Sequence, residues 1–224
     1  MGQFILALLP VLMILLYIYK KDKFEKEPYR LLIYVFLIGV ASAVPIMFAE
    51  IVLSDRMAGL IGMSAAAYTA FVVAALTEEF FKFIILYFFL WKKKEFNEKY
   101  DAIVYAVFIS MGFAALENTM YVFDHGIRTG LMRAITAVPA HALFAVSMGY
   151  YFGIARFDLN KRKLYFVLSL LVPVLLHGIY DFLLMANKQE LIFVFIVFLI
   201  IMYRVGFHKI HKVSKKSRLN PFQK

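Results

Sequence analysis

Cysteine does not occur in this 224-residue sequence, and its absence excludes disulfide bonds and thiolate metal sites. Any metal ion would therefore be held by His, Asp or Glu side chains. Charged residues are also scarce, at 18% of the chain, whereas hydrophobic residues make up 63%. In soluble domains roughly half of the residues are apolar and about a quarter are charged. Together with a mean hydropathy of +0.76, this composition indicates an integral membrane protein.

Seven long apolar segments follow one another along the chain, and each approaches the ~20 residues that a membrane-spanning helix needs. We therefore predict an all-α polytopic membrane protein, a bundle of about seven transmembrane helices. A single transmembrane domain would cover residues 1–206, and a basic cytoplasmic tail would follow at 207–224. The apolar segments are 3–19, 30–53, 64–91, 102–123, 131–155, 164–185 and 190–206.

Lysine and arginine produce the net charge of +10, and they are grouped in the short stretches that separate the apolar segments. The stretches after the first, third, fifth and seventh segments hold 20 of them, and the alternate stretches hold 4. Because basic residues are enriched in cytoplasmic loops, this asymmetry predicts an N-terminus outside and a C-terminus in the cytoplasm. The basic groups are expected to contact anionic lipid headgroups rather than nucleic acid.

Glu78 and Glu79 stand side by side in the apolar stretch 65–91, and Lys82 follows one helical turn later. Each charge near the centre of a membrane helix costs roughly 2.5–3.5 kcal/mol on insertion scales, so three cost about 8–10 kcal/mol before they pair. Glu78 and Lys82 are four residues apart and share a helix face, which predicts an ion pair. A cost of this size implies that the glutamates have a partner or a function.

Further polar residues lie inside the later apolar segments: Glu117, His141, His177 and Asp181. Counted at ~1.5 Å per residue from the segment ends, they and the two glutamates fall in one layer between the midplane and the outer leaflet. Polar side chains in a bilayer turn toward the interior of the helix bundle, so we expect a single constellation. The spacing of four residues predicts that Asp181 orients His177 or helps to polarise a substrate.

Two histidines and a carboxylate form a suitable ligand set for a catalytic zinc ion. We therefore expect Glu117, His141 and His177 to bind zinc or to polarise a carbonyl group, while another carboxylate activates water as a general base. Glu78 is assigned to the water and Glu79 to a structural or pairing role, and the reverse assignment stays open. The sequence contains no Gly-x-Ser-x-Gly and no His-Glu-x-x-His motif. The pattern favours hydrolysis by glutamate-activated water.

Four short motifs occur in order on successive apolar segments: Glu78-Glu79-x-x-Lys82, Phe113-x-x-x-Glu117, His141-Ala142 and His177-x-x-x-Asp181. In these motifs, and in its length and helix number, the chain resembles the PrsW family of bacterial intramembrane proteases. That family is related to the CAAX prenyl protease and bacteriocin-immunity superfamily, in which the second motif commonly ends in His rather than in Glu.

This resemblance implies a multi-pass protease of the bacterial cytoplasmic membrane. It implies that the partner is a single-pass membrane substrate, an anti-sigma factor, in which the enzyme makes the first (site-1) cut. That cut would start the release of a sigma factor in the envelope stress response. The outer-half depth of the polar layer agrees with a cut near the extracytoplasmic face.

Two other classes of function remain open from the residues themselves. Relays of carboxylates and histidines across helices also occur in proton- or cation-coupled transporters. The same polar layer can hold partner helices in a non-enzymatic, immunity-type membrane protein, because single polar residues often bond membrane helices together. Against transport, the chain is small and shows no inverted repeat.

Polar residues near the segment ends are interpreted without a catalytic role. Glu50 and Asp55 lie near the outer end of the second segment and are expected at the membrane interface. Asp124 and His125 fall in an expected outer loop, where solvation is the simplest interpretation.

Overall fold

A computed structural model describes residues 2–22 and 25–215 of the chain. Within these residues the regular secondary structure is helical, without a strand. The backbone of an apolar segment in a bilayer must satisfy its own hydrogen bonds, and a helix does so within one segment. The α-helices are α1 (Gly2–Lys21), α2 (Tyr29–Ser54), α3 (Gly62–Tyr68), α4 (Thr77–Leu90), α5 (Lys99–Ile135), α6 (Ala137–Phe157), α7 (Arg162–Met185) and α8 (Glu190–Lys215).

The segment expected as one helix over 64–91 consists of three helical pieces. α3 passes into a π-helical stretch, Thr69–Leu76, which passes directly into α4. A π-helix winds more slowly than an α-helix, and π-helical insertions occur frequently at functional sites. Because Glu78 and Glu79 lie in the first turn of α4, the π-helical stretch sets the direction in which these two side chains point.

α5 does not run straight from Lys99 to Ile135, because the chain reverses at Gly126. This residue has a φ of 81° and a ψ of −176°, a backbone conformation that residues with a Cβ rarely adopt. The last part of α5 therefore returns alongside its middle, and Arg133 contacts Glu117. The outer loop that was expected around Asp124 and His125 is helical on both sides of one turning residue.

Five helical stretches in the described residues are long and apolar enough to cross a membrane: Gly2–Lys21, Tyr29–Met57, Lys99–Phe157, Arg162–Met185 and Glu190–Lys215. The Lys99–Phe157 stretch contains the turn at Gly126. The helical stretch that carries Glu78, Glu79 and Lys82 is not one of the five. The chain is thus an all-helical, multi-pass membrane protein, while the number of seven spans and the outside N-terminus stay predictions.

The centre of the bundle is formed by α5 and α6. Every residue of α5 from Tyr100 to Ala115 is buried, which means that other helices surround this part of α5. α2 and α8 keep large apolar side chains exposed, for example Phe48 and Phe193, as helices that face lipid do. α8 continues to Lys215, so residues 207–215 of the expected tail are helical and the rest lies outside the described residues.

Candidate active site

Four ionisable side chains from three helices meet inside the bundle. Glu78 and Glu79 come from α4, His141 from α6 and His177 from α7, and all four are buried. One possible ligand atom from each residue lies within 4.8 Å of the others. We call these four residues the Glu/His cluster. Residues that the sequence placed only at a common depth are therefore close neighbours.

Lys82 lies beside the Glu/His cluster with only 1% of its surface exposed. Its Nζ donates to Glu78 Oε2 at 2.9 Å and to Glu79 Oε1 at 2.8 Å. The same atom lies 3.5 Å from Nδ1 of His141 and 4.4 Å from the centre of the Phe113 ring. A buried charge requires such pairing, because each ion loses its hydration on burial. The ion pair predicted between Lys82 and Glu78 is present, and Glu79 shares the same ammonium group.

His177 is oriented through both of its ring nitrogens. Its Nδ1 lies 3.1 Å from Glu79 Oε1, and its Nε2 lies 3.2 Å from Asp181 Oδ2. The ring also stacks on Phe144, with the two ring centres 4.8 Å apart. The contact with Asp181 is the one that the spacing of four residues predicted. A carboxylate on one nitrogen and an aromatic ring on one face together fix the imidazole plane.

Glu117 lies next to His141 rather than inside the Glu/His cluster. Its Oε2 lies 3.0 Å from His141 Nε2 and accepts a hydrogen bond of 2.6 Å from Arg133 Nη2. Arg133 Nε donates to Asn118 Oδ1 at 3.0 Å, and Asn118 Nδ2 donates to the carbonyl of Ala7 in α1 at 2.9 Å. The Glu117 carboxylate is therefore fixed by a chain of polar contacts that reaches the first helix.

Arg133 was missed by the sequence reasoning, which counted it only among the few basic residues expected outside. Its role follows from the reversal at Gly126, which lies between Glu117 and Arg133 and brings the two side chains together. The sequence signal that was available is a glycine between two apolar segments, with an acidic residue two positions before it and an arginine two positions after it. Arg133 also lies over the ring of Tyr121, with its guanidinium carbon 3.9 Å from the ring centre.

A cavity of about 520 Å³ extends from the Glu/His cluster to the exposed residues Asp124 and His125 near the Gly126 turn. Glu78, both histidines of the cluster and Asp181 line it, whereas Glu79 does not. Glu50 also lines this cavity, whereas its expected place at the membrane interface stays a prediction. α2 turns this half-buried side chain toward the bundle interior, which depth along the segment alone does not reveal.

The donor atoms of the Glu/His cluster suit a metal ion such as zinc, which binds imidazole and carboxylate ligands. Glu79 Oε2 is buried and has no hydrogen-bond partner in the described residues, so its lone pairs are free for a ligand. The set expected from the sequence combined Glu117 with the two histidines. The set that the structure brings together contains the histidines with Glu78 and Glu79, while Glu117 contacts Arg133.

A buried Glu/His cluster beneath a cavity, inside a bundle of apolar helices, places the chain in the class of multi-pass membrane proteins with an intramembrane candidate active site. Comparison with protein families identifies the group within this class. Residues 27–205 match a family described as PrsW family intramembrane metalloprotease. The chain belongs to the PrsW family of intramembrane proteases, and the family resemblance seen in the sequence is confirmed.

Relatives named Protease PrsW cover most of the chain. The protein of Geobacillus kaustophilus (strain HTA426) is 45% identical over 80% of this chain and 78% of the relative. Those of Clostridioides difficile (strain 630) and Bacillus subtilis (strain 168) are 39% and 37% identical, over 96% and 93% of this chain and 92% of each relative. No solved structure matches the chain. The chain is therefore a peptidase, and the transporter and immunity alternatives are set aside.

Proposed function

We propose that the chain makes the first cut in a membrane-bound anti-sigma factor, by attack of water that a glutamate activates. The observation that carries this proposal is the Glu/His cluster at the inner end of the cavity. At about 520 Å³ the cavity lies within the ~300–1,000 Å³ usual for ligand sites. A short unwound part of a substrate helix would enter it and bring a peptide bond to the cluster.

Glu78 is the proposed general base. It lines the cavity and is 4% exposed, so a water molecule in the cavity can reach its carboxylate. Glu79 is fully buried, and one of its oxygens contacts both Lys82 and His177. These contacts suit Glu79 to a structural or ligand role. The geometry thus favours Glu78 for the water, as the sequence reasoning first assigned it.

The other polar residues have positioning or electrophilic roles in this proposal. His141 and His177 face the cavity and are placed to polarise the scissile carbonyl. Asp181 and Glu117 fix the planes of the two imidazole rings. Lys82 forms an ion pair with each of the two glutamates inside the bundle. The negative charge that develops on the carbonyl oxygen would meet groups that are already oriented, which lowers the barrier without reorganisation.

A metal would be held by members of the Glu/His cluster, and zinc is the proposed ion. When bound, zinc supplies Lewis acidity, which polarises a carbonyl and lowers the pKa of water. Both histidines and the free oxygen of Glu79 are the proposed ligands. Glu117 is proposed to orient His141 from outside the ligand set, because carboxylates commonly bond the second nitrogen of a ligand histidine.

The proposed substrate class has two supports. The family resemblance implies an anti-sigma factor and a role in the envelope stress response. The cavity reaches the end of the bundle that the distribution of basic residues predicts to be outside. A cut at this level would fall where the external part of a single-pass substrate joins its membrane helix, as expected of a first cut that precedes sigma-factor release.

Co-expression with tagged single-pass anti-sigma factors tests the proposal. The intact chain should yield a shortened substrate, and Glu78→Gln, Glu79→Gln and His177→Ala should each abolish that product. Glu190→Gln, at an exposed position at the start of α8, is the matched control and should leave cleavage unchanged. Equal cleavage by all variants at equal expression would refute the site. Cleavage of other single-pass proteins, without any anti-sigma factor, would refute only the substrate class.

A further inference from the structure

Two guanidinium groups meet at the tryptophan that ends α4, away from the candidate active site. The guanidinium carbon of Arg156 lies 5.6 Å from the centre of the Trp91 ring, and that of Arg162 lies 5.8 Å from it. Arg156 is near the end of α6 and Arg162 is at the start of α7. Trp91 is the only tryptophan of the sequence. We call these three residues the Trp/Arg site.

Neither arginine of the Trp/Arg site forms an ion pair with a carboxylate in the described part of the chain. Arg162 donates to the carbonyl oxygens of Ala155 and Arg156, at 3.2 Å and 3.4 Å. The Nε of Arg156 is buried and has no hydrogen-bond partner among the described residues. Two like charges thus lie against one ring without a compensating anion, and one buried donor is unsatisfied.

The surroundings of the Trp/Arg site add positive charge rather than compensate it. Asp158, Glu95 and Glu98 are the acidic residues of the adjoining turns. The Asp158 carboxylate accepts the backbone N–H of Lys161, and the Glu98 side chain caps the start of α5. Exposed lysines lie in the same turns and at the start of α7: Lys92, Lys93, Lys94, Lys161 and Lys163. Aromatic packing accounts for one arginine over an indole ring, but two cations on one ring repel each other. The site therefore has the electrostatic character of an anion receptor.

We propose that the Trp/Arg site binds the phosphate group of an anionic membrane phospholipid. The site joins the ends of three apolar helices, and tryptophan is enriched at the level of lipid headgroups. The Trp/Arg site lies at the end of the bundle that is predicted to be cytoplasmic, where basic pockets between helices bind anionic headgroups. The guanidinium fork matches two phosphate oxygens, and its half-buried position excludes part of the competing water. This proposal does not depend on the proposed peptidase mechanism.

The fluorescence of Trp91 provides a direct measurement, because the sequence contains no other tryptophan. The full chain, purified in an uncharged detergent, is titrated with phosphatidylglycerol, with phosphatidylcholine and with inorganic phosphate. Phosphatidylglycerol should change the emission saturably, whereas the other two should not at the same concentrations. Arg156→Gln should weaken the apparent affinity for phosphatidylglycerol by about tenfold, since a charge-assisted hydrogen-bonded pair is lost.

Lys163→Gln is the matched control, because it removes one positive charge from an exposed position next to Arg162. It should keep the wild-type affinity, and Arg156→Lys, which retains charge but lacks the planar fork, should give an intermediate value. The Lys variant also serves if Arg156→Gln fails to fold. An unchanged titration in both Arg156 variants would overturn the proposal. An equal response to phosphatidylcholine or to free phosphate would overturn the assignment to an anionic lipid.

Discussion

Arg133 lies sixteen residues after Glu117 in the chain, yet its Nη2 lies 2.6 Å from the Glu117 carboxylate. The same carboxylate oxygen lies 3.0 Å from Nε2 of His141, whose other nitrogen points toward Lys82. Arg133 therefore positions Glu117, and Glu117 positions a histidine of the Glu/His cluster. Arg133 thus lies outside the Glu/His cluster but helps, through Glu117, to orient His141 within it.

Arg133→Gln should lower kcat by about 10- to 100-fold, the usual effect of losing an outer orienting partner. The midpoint of thermal unfolding should be affected less than kcat, because Arg133 is only partly buried. Arg133→Lys should restore part of the activity through its charge. Arg128→Gln is the control, since Arg128 is exposed on the same returning part of α5. Equal loss of activity in both Gln variants would contradict a positioning role.

Lys82→Met should destabilise the protein by about 3–5 kcal/mol, because it leaves two buried carboxylates without their shared cation. The measurement is thermal unfolding of the purified variant in detergent. Glu78→Gln combined with Lys82→Met should be more stable than Lys82→Met alone, since the double variant buries one fewer unpaired charge. A double variant no more stable than the single one would show that the ammonium group does not serve mainly as a counterion.

Purified protein should contain zinc that is lost when cluster histidines are replaced. His141→Ala and His177→Ala should each lower the zinc content measured by elemental analysis, because each removes a proposed imidazole ligand. His125→Ala is the control, because His125 is exposed at the far end of the cavity. Full peptidase activity after complete removal of metal by a chelator would rule out a catalytic metal while leaving the glutamates in place.

Gly39→Ala should destabilise the bundle by about 1–3 kcal/mol, as overpacking of a close helix contact does. A Cβ at Gly39 would overlap the backbone carbonyl of Ile109 in α5, so that α2 and α5 would have to separate. Gly206→Ala should cost less, because its Cβ would meet the flexible end of the Leu143 side chain. The measurement is the midpoint of thermal unfolding of each variant. Equal midpoints would contradict the expected difference between the two glycines.

Glu27, between α1 and α2, should make stability depend on pH. Burial raises the pKa of its carboxyl from 4.5 to about 7, although a hydrogen bond from Tyr105 opposes the shift. The folded state therefore binds this proton more tightly than the unfolded state does. The resulting contribution to the free energy of unfolding is fully present below pH 4.5 and is lost as the pH rises through about 7. Glu27→Gln should flatten the pH dependence of the thermal midpoint between pH 5 and 8, and Glu25→Gln, at an exposed position, should not.

Contacts within one helix were predictable from the sequence, because a spacing of four residues places two side chains on the same face. The pairs of Lys82 with Glu78 and of His177 with Asp181 are of this kind. Contacts between helices were predictable only as a shared depth. Which oxygen meets which nitrogen depends on helix rotation, and the π-helical stretch before α4 changes that rotation without any mark in the hydrophobic pattern.

The structure shows two positions of polar side chains that the sequence analysis did not predict, and each has a local cause. Arg133 was counted only as a basic residue at the outer end of the fifth segment, because hydropathy does not reveal a reversal at a single glycine. The cavity-lining position of Glu50 was not foreseen, because its distance from the segment end does not show on which side of the helix it lies. Arg133 is turned inward by contacts with the earlier part of α5, and Glu50 by the face of α2 on which it lies. Depth along the segments grouped the polar residues of the Glu/His cluster, whereas the direction in which each side chain points could be read only from the folded chain.

The 98-residue separation between Glu79 and His177 also has a consequence for the synthesis of the protein. α4 leaves the ribosome with Lys82 already one turn from both glutamates, so it enters the membrane with its own counterion. His177 arrives only with α7, after α5 and α6 have been synthesised. Before that point the nascent chain therefore carries two glutamates that share one ammonium group, but not the complete Glu/His cluster. If the Glu/His cluster is the active site as proposed, a chain interrupted before α7 should lack peptidase activity even where its earlier helices are inserted.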